Sequence, residues 1–66
     1  MNEFVLFLDK LPYKEMLQFR EEVISSCGIV RSTFYNWSRG RTVPKHYYRL
    51  RINKIALDSF NTTIYK

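Results

Sequence analysis

Hydrogen-bonding side chains of the kinds that read nucleic-acid bases are concentrated between residues 31 and 36 of this chain. An arginine can donate two hydrogen bonds to a guanine edge, and an asparagine can pair with adenine through both of its amide atoms. Arg31 and Asn36 are the strongest candidates, and their separation on a helix would direct them to different base pairs. The full base-reading set is Arg31, Ser32, Tyr35 and Asn36. Plainer roles stay open for three of them: a phosphate contact for Arg31, a solvent-facing position for Asn36 and helix packing for Tyr35.

Cationic residues follow directly, on both sides of Gly40. Arg39, Arg41 and Lys45 are expected to contact phosphates, which adds affinity and salt sensitivity but little sequence preference. The alternative is that they are solvated cations. Residues 1–29 carry a net charge of −2, from three cations and five anions, whereas residues 30–66 carry +7, from eight cations and one anion. This asymmetry points to nucleic acid first and to an anionic membrane second.

Length and composition exclude several other classes of protein. A chain of 66 residues has room for one domain with a thin core, and a deep catalytic cleft is not expected. With one cysteine, Cys27, and one histidine, His46, the chain offers no disulfide framework, metal cluster or nucleophile–base pair. We therefore expect no enzyme activity, metal, cofactor or small-molecule substrate, and we interpret Cys27 as a small buried hydrophobic residue. The apolar run 4–8 is too short to span a membrane and no basic residue precedes it, which favours a cytoplasmic protein.

Sparse prolines and glycines divide the chain into four predicted helices, and thus an all-α fold. Their approximate ranges are 3–10, 12–26, 31–38 and 44–59. Pro12 and Pro44 suit the first turn of the second and fourth helices. Gly28 and Gly40 suit the left-handed residue that follows a helix. The tail 61–66 is β-branched and aromatic, and the sequence leaves it open between a disordered segment, a short strand and a packing arm.

Apolar spacing assigns an inward face to the predicted helices. Phe34 and Trp37 lie three residues apart and are expected to face inward together; stacking on single-stranded nucleic acid is the weaker alternative for Trp37. The first helix has a competing interpretation as a short buried strand, because Phe-Val-Leu-Phe-Leu lacks clear periodicity. The fourth helix is expected to turn Lys45, Arg49 and Lys54 outward. Its inward stripe is expected to be Tyr48, Ile52, Ile55, Ala56 and Ser59.

Residues 20–44 resemble the helix-turn-helix of the phage repressor and Cro superfamily, also called the Xre-like family. The resemblance runs from Arg-Glu-Glu-Val through Cys-Gly-Ile to Arg-Ser-Thr-Phe-Tyr-Asn-Trp, and it closes with Arg-Gly-Arg and Pro44. It implies a single domain over residues 1–66, an all-α bundle of four or five helices, with the helix-turn-helix core at residues 20–40. Similar chains are the small stand-alone DNA-binding proteins of bacterial and mobile-element genomes.

The same resemblance assigns roles to individual residues. It implies that the second helix of the motif presents Arg31, Ser32, Tyr35 and Asn36 to DNA. It also implies that Thr33, Arg39 and Arg41 lie near the phosphate backbone. The packing residues that it implies are Val23, Cys27, Ile29, Phe34 and Trp37.

The sequence departs from that family at the start of the third helix. Where the family tends to have serine or threonine, this chain has Val30, whose side chain cannot cap a helix. Ser32 or Thr33 is then the expected cap of a helix that starts slightly later.

Together these features predict sequence-specific binding of double-stranded DNA by a small transcriptional regulator, with the helix at about residues 31–38 in the major groove. A module of this size usually binds two half-sites as a homodimer, and Tyr13, Tyr47 and Tyr65 are candidate dimer contacts. Two alternatives stay open. One is an architectural or excision factor that bends DNA. The other is a protein-interaction module, antitoxin-like or an adaptor, although the polar third helix argues against it.

Overall fold

The computed structural model describes residues 2–65, and within them the chain forms four α-helices and no β-strand. The helices are α1 (Glu3–Lys10), α2 (Tyr13–Cys27), α3 (Arg31–Ser38) and α4 (His46–Phe60). The predicted all-α fold of four helices is confirmed, and the apolar run 4–8 is helical rather than a strand. No fifth helix occurs in the described part of the chain. Among residues 2–65, no helix has the length and apolar character needed to cross a membrane.

α1 begins where the sequence provides a cap. The Asn2 side chain accepts a hydrogen bond from the Val5 amide at 2.9 Å, and Glu3 places a negative charge in the first turn, as helix starts prefer. Pro12 is extended, with φ −58° and ψ 153°, and it directly precedes α2. The proline therefore separates the two helices instead of lying inside the second one.

Phe4 of α1 is the centre of the core. Its side chain is fully buried, and its ring centroid lies 6.2 Å from Phe19, 5.6 Å from Phe34 and 6.0 Å from Trp37. These partners come from α2 and α3, so one aromatic cluster holds the first three helices together. Phe19 in turn lies 6.0 Å from Phe60, which connects the cluster to α4.

α2 and α4 pack along each other in opposite directions. The Ser59 hydroxyl donates a hydrogen bond to the Glu22 carboxylate at 3.1 Å, and the Arg51 guanidinium donates to the Ser26 carbonyl oxygen at 2.9 Å. The higher-numbered residue of α4 meets the lower-numbered residue of α2, so the helices are antiparallel. α3 packs on α1 and α2, and its outer side is left without a helical neighbour.

α4 starts at His46, two residues later than the predicted range. Pro44 is fully buried and Lys45 is extended, with φ −69° and ψ 161°, so the proline packs into the core before the helix begins. Arg49 is partly buried rather than outward-facing, because its Nε donates a hydrogen bond to the Pro44 carbonyl oxygen at 3.0 Å. The inward prediction for Ser59 is wrong, since its hydrogen bond to α2 is made at the exposed surface. The other predicted inward residues are buried or partly buried: Tyr48, Ile52, Ile55 and Ala56.

The tail packs against the bundle in residues 61–65. Asn61 directly follows α4; it is left-handed with φ 57° and donates its amide to the Leu57 carbonyl oxygen at 2.9 Å. Ile64 and Tyr65 are both buried and belong to the core. Of the three alternatives for this segment, the packing arm is therefore correct for the described residues.

The three tyrosines predicted as dimer contacts differ in burial. Tyr65 is 8% exposed, so the prediction is wrong for this residue, which packs within its own chain. Tyr13 and Tyr47 are exposed. Met1 and Lys66, which the predicted domain and tail include, lie outside the described residues.

Candidate nucleic-acid interface

A short turn, residues 28–30, joins α2 to α3. Gly28 has φ 66° and ψ 33°, a left-handed conformation that costs glycine little. Its amide and that of Ile29 both donate to the carbonyl oxygen of Ile24, at 3.0 and 3.3 Å. The glycine therefore ends α2 as predicted, and the Ile29 side chain packs against the core.

α3 begins at Arg31 without a side-chain cap. The residue before it, Val30, is extended with φ −90° and ψ 162°, makes no capping hydrogen bond and is 64% exposed. The expectation that Ser32 or Thr33 caps a later start is wrong, because both already lie in the first turn. Backbone amides at this helix start have no side-chain acceptor, which favours a negative group there.

α3 has one buried and one outer face. Phe34 and Trp37 are 2% and 3% exposed, which confirms that they face inward and favours core packing for Trp37 over stacking. At about 100° per residue, the four base-reading candidates form one continuous arc on the opposite side of the helix. Three of them are exposed and Asn36 is partly buried, as is the phosphate candidate Thr33. The structure therefore brings together on one helix face Arg31, Ser32, Tyr35 and Asn36.

Tyr35 and Arg39 are arranged together at the end of α3. The Arg39 guanidinium carbon lies 5.0 Å from the centroid of the Tyr35 ring, within the range of a cation–π interaction. The Ser38 hydroxyl donates a hydrogen bond to the Tyr35 carbonyl oxygen at 2.8 Å. Tyr35 is 53% exposed, so its packing against a neighbouring helix is only partial.

Arg31 lies beside Glu21 of α2. Its Nη2 is 3.5 Å from Glu21 Oε1, while Glu21 Oε2 is 3.2 Å from Arg20 Nε. The Arg31 side chain is 70% exposed, so this ion pair is worth little and can be exchanged for another anion at small cost. The carboxylate therefore lies beside Arg31 without burying it.

Residues 39–45, which connect α3 to α4, are called here the basic loop. The three cations predicted to contact phosphate, Arg39, Arg41 and Lys45, are all exposed on it. Gly40 has φ 77°, and the Arg41 amide donates to the Asn36 carbonyl oxygen at 3.0 Å, so the loop folds back onto the end of α3. Arg39 and Arg41 are therefore next to the predicted base-reading face, whereas Lys45 lies at the start of α4.

Sequence reasoning assigns no role near this face to Glu21 or Arg49. Glu21 contacts Arg31 across the α2–α3 turn, and Arg49 contacts the basic loop through the Pro44 carbonyl oxygen. Both contacts depend on how two helices or a helix and a loop are placed relative to each other. No local pattern of the sequence carries that information.

A cleft of about 230 Å³ lies between α1, α2 and α3. A second cleft, of about 610 Å³, lies between α1 and the tail, and its volume is within the range of about 300–1,000 Å³ usual for small-molecule pockets. Volume therefore does not decide between these clefts and the exposed face of α3, which is the candidate site because the predicted base-reading side chains lie together on it. Cys27, at the end of α2, is partly buried. Burial raises the pKa of its thiol, although the Arg51 charge lowers it, so the side chain is a protonated, weakly polar packing residue.

Comparison of this chain with protein-family models, with curated proteins and with solved structures found no match.

Proposed function

We propose that this protein binds double-stranded DNA sequence-specifically and acts as a small transcriptional regulator. In the proposed complex, α3 lies in the major groove and the basic loop contacts phosphates. Regulation follows from occupancy of the site, which requires no catalysis. A regulator of this kind would act in the bacterial cytoplasm.

The observation that carries the proposal is the two-sided character of α3. Phe34 and Trp37 fix the helix to the core, while its opposite side presents side chains with the donors and acceptors needed to read base edges. A helix that is only eight residues long and is polar on its outer side has few other uses. The major groove of B-DNA is wide enough to accept such a helix.

Charge supports the same proposal. Arg39 and Arg41 of the basic loop lie at the end of α3, and the uncapped start of α3 adds the positive end of the helix dipole. Contacts of this kind supply affinity and orientation, while the base edges supply specificity. One such helix covers only a half-site, so the proposal includes a homodimer that reads two half-sites about 34 Å apart.

Selection from a randomised pool of duplex DNA, at two salt concentrations, tests the proposal. We expect enrichment of a short motif. Arg31→Ala and Asn36→Ala should each weaken binding to that motif by about 1–3 kcal/mol and relax the preference at one position. Arg41→Ala should weaken binding to all sequences alike and lower the slope of log K against log salt by about 1.

Lys10→Ala is the matched control. Like Arg31→Ala it removes one positive charge, but Lys10 lies at the end of α1 beside Thr62 and Thr63 of the tail. Binding should change little. An absence of binding even at low salt would overturn the proposal, and salt-sensitive binding without an enriched motif would replace it with a DNA-bending, architectural role.

One observation favours a second candidate, a protein-interaction module. Tyr47, Leu50 and Leu57 are exposed on α4 and fall on its outer side at a 3.6-residue period. Exposed apolar side chains on one helix face are more typical of a contact with protein than with DNA. Two results together would support this candidate. The chain would fail to bind DNA, and Leu50→Lys would abolish a self-association that the wild-type protein shows in analytical ultracentrifugation.

A further inference from the structure

A single side chain of α4 holds the tail. Asn53 Oδ1 accepts hydrogen bonds from the amides of Ile64 and Tyr65, at 3.0 and 2.8 Å, and Asn53 Nδ2 donates to the Tyr65 carbonyl oxygen at 2.8 Å. An asparagine side chain can both donate and accept, so this one residue satisfies three backbone groups of the tail. The tail is thereby held at a defined position along α4.

The tail is connected to the basic loop through Arg49. The Arg49 guanidinium carbon lies 4.9 Å from the centroid of the Tyr65 ring, and its Nε donates to the Pro44 carbonyl oxygen at 3.0 Å. The Arg49 guanidinium therefore contacts the tail through the Tyr65 ring, and it contacts the loop through its Nε hydrogen bond. Tyr65 restricts where that guanidinium can lie, and the guanidinium restricts the peptide between Pro44 and Lys45.

The loop has further anchors at its two ends. At its beginning, the Gly40, Arg41 and Thr42 amides donate to carbonyl oxygens of α3 at 3.1, 3.0 and 3.5 Å. Pro44 is buried, and Gly40 passes close to α1, since a Cβ there would lie 3.7 Å from Val5 Cγ2. Between these two points residues 41–43 are exposed. Lys45 directly precedes α4, and its carbonyl oxygen accepts hydrogen bonds from the Tyr48 and Arg49 amides at 3.0 and 3.1 Å. The peptide between Pro44 and Lys45 is therefore held by the start of α4 on one side and by the Arg49 guanidinium on the other.

We propose that the tail positions the basic loop, with Arg49 as the positioning residue that transmits its docking to Pro44 and Lys45. The effect on DNA rests on the proposed function, whereas the contact between tail and loop does not. If the tail is released, Lys45 and the peptide before it lose the restraint that Arg49 provides. Affinity then falls although no predicted DNA-contacting side chain has changed.

Limited trypsin digestion with mass spectrometry tests the contact without DNA. Arg49→Lys keeps the charge and the trypsin site but loses the flat guanidinium that reaches Tyr65 and Pro44 together. Arg51→Lys is the matched control. It makes the same substitution in α4, but the Arg51 guanidinium donates a hydrogen bond to α2 and not to the loop. Asn53→Ala removes the three hydrogen bonds of the tail and leaves Arg49 intact.

The readout is cleavage after Arg41 and Lys45 relative to cleavage after Arg20 inside α2. Cleavage inside the helix needs global unfolding, so the ratio reports local opening of the loop. We expect Arg49→Lys and Asn53→Ala to raise the ratio by about tenfold, and Arg51→Lys to leave it unchanged. An unchanged ratio in both test variants would overturn the proposal.

Measuring DNA binding by the same variants is the second test. Arg49→Lys should weaken binding several-fold and lower the salt slope by about 1, while Arg51→Lys should do neither. A raised cleavage ratio with an unchanged salt slope would overturn the effect on binding. If the wild-type chain binds no DNA, the proposed function fails, and the cleavage ratio alone decides whether the tail positions the loop.

Discussion

Arg31 is the residue at which the acidic and basic halves of the chain meet. Its guanidinium faces a carboxylate of α2 on one side and solvent on the other. In a complex with DNA the same guanidinium would have to leave Glu21 or share it. Whether Arg31 pairs with Glu21 or with DNA depends on one surface contact, so a substitution of Glu21 can change it without altering the fold.

Glu21→Gln should strengthen DNA binding about two- to fivefold at low salt, because it removes a negative charge beside the predicted base-reading face. The matched control is Glu22→Gln, which removes the same charge one residue on, where the carboxylate bonds to Ser59 of α4. Binding titrations of both variants against one duplex measure the difference. Equal gains would show a general charge effect, and weaker binding by Glu21→Gln would show that this carboxylate orients Arg31.

Tyr65 should make stability depend on alkaline pH. Burial raises the pKa of its hydroxyl to about 12 from an ordinary 10.0, with the Arg49 charge lowering it and the Glu3 charge raising it. The folded state therefore holds the proton more tightly than the unfolded state. The associated stabilisation is complete below pH 10.0 and is lost as the pH rises towards about 12.

Urea unfolding between pH 8 and pH 11, on wild-type protein and Tyr65→Phe, measures this dependence. The phenylalanine variant should show a flatter profile. It should be no less stable at neutral pH, because the Tyr65 hydroxyl is buried without a hydrogen-bond partner within residues 2–65. Parallel profiles for the two proteins would contradict the assignment to Tyr65.

At the scale of the element, α3 is short and is held by packing rather than by its own ends. A helix of eight residues is marginal in water, and this one lacks a side-chain cap at its start. The buried side chains of Phe34 and Trp37 compensate for both deficits. The start of α3 is therefore a place where stability can be added.

Val30→Ser should stabilise the protein by about 1 kcal/mol, because Val30 already has the extended backbone of an N-cap residue and a serine there can accept an amide hydrogen bond. For a domain of this size that corresponds to a rise of about 4–8 °C in Tm. Val43→Ser is the control, since it removes an exposed valine of the basic loop that precedes no helix. A thermal melt that shifts equally in both variants would refute the capping explanation.

At the scale of the whole molecule, one aromatic cluster links all four helices. A domain of this length buries a small core, and its total stability is only about 3–5 kcal/mol. Phe4 contacts rings from α2 and α3, so the position of α3 depends on a residue near the beginning of the chain.

Phe4→Ala should cost about 3–5 kcal/mol and leave the chain largely unfolded at 25 °C. Far-UV circular dichroism and the dispersion of amide NMR signals would register the loss. Leu6→Ala, an exposed position on the same helix, should retain the fold. A folded Phe4→Ala protein would show that the other aromatic contacts suffice.

Local rules predicted the helices well, and long-range geometry accounts for what they missed. The inward pair of α3 and the left-handed Gly28 and Gly40 follow from spacing and backbone preference alone. The start of α4 could not be predicted in this way, because the burial of Pro44 depends on a core assembled from distant segments. The same holds for Tyr65, whose burial depends on α4 and the tail together.

The sequence by itself determined which segments are helical, where they end and which aromatic side chains face inward, because caps, glycines and apolar periods act within a few residues of each other. It also determined the chemical character of the outer face of α3. Only the tertiary structure decided that Arg31 lies beside Glu21 and that the tail reaches the basic loop through Arg49. The contacts of Arg31 with Glu21 and of Arg49 with Tyr65 join residues 10 and 16 positions apart, and their distances depend on how whole elements pack.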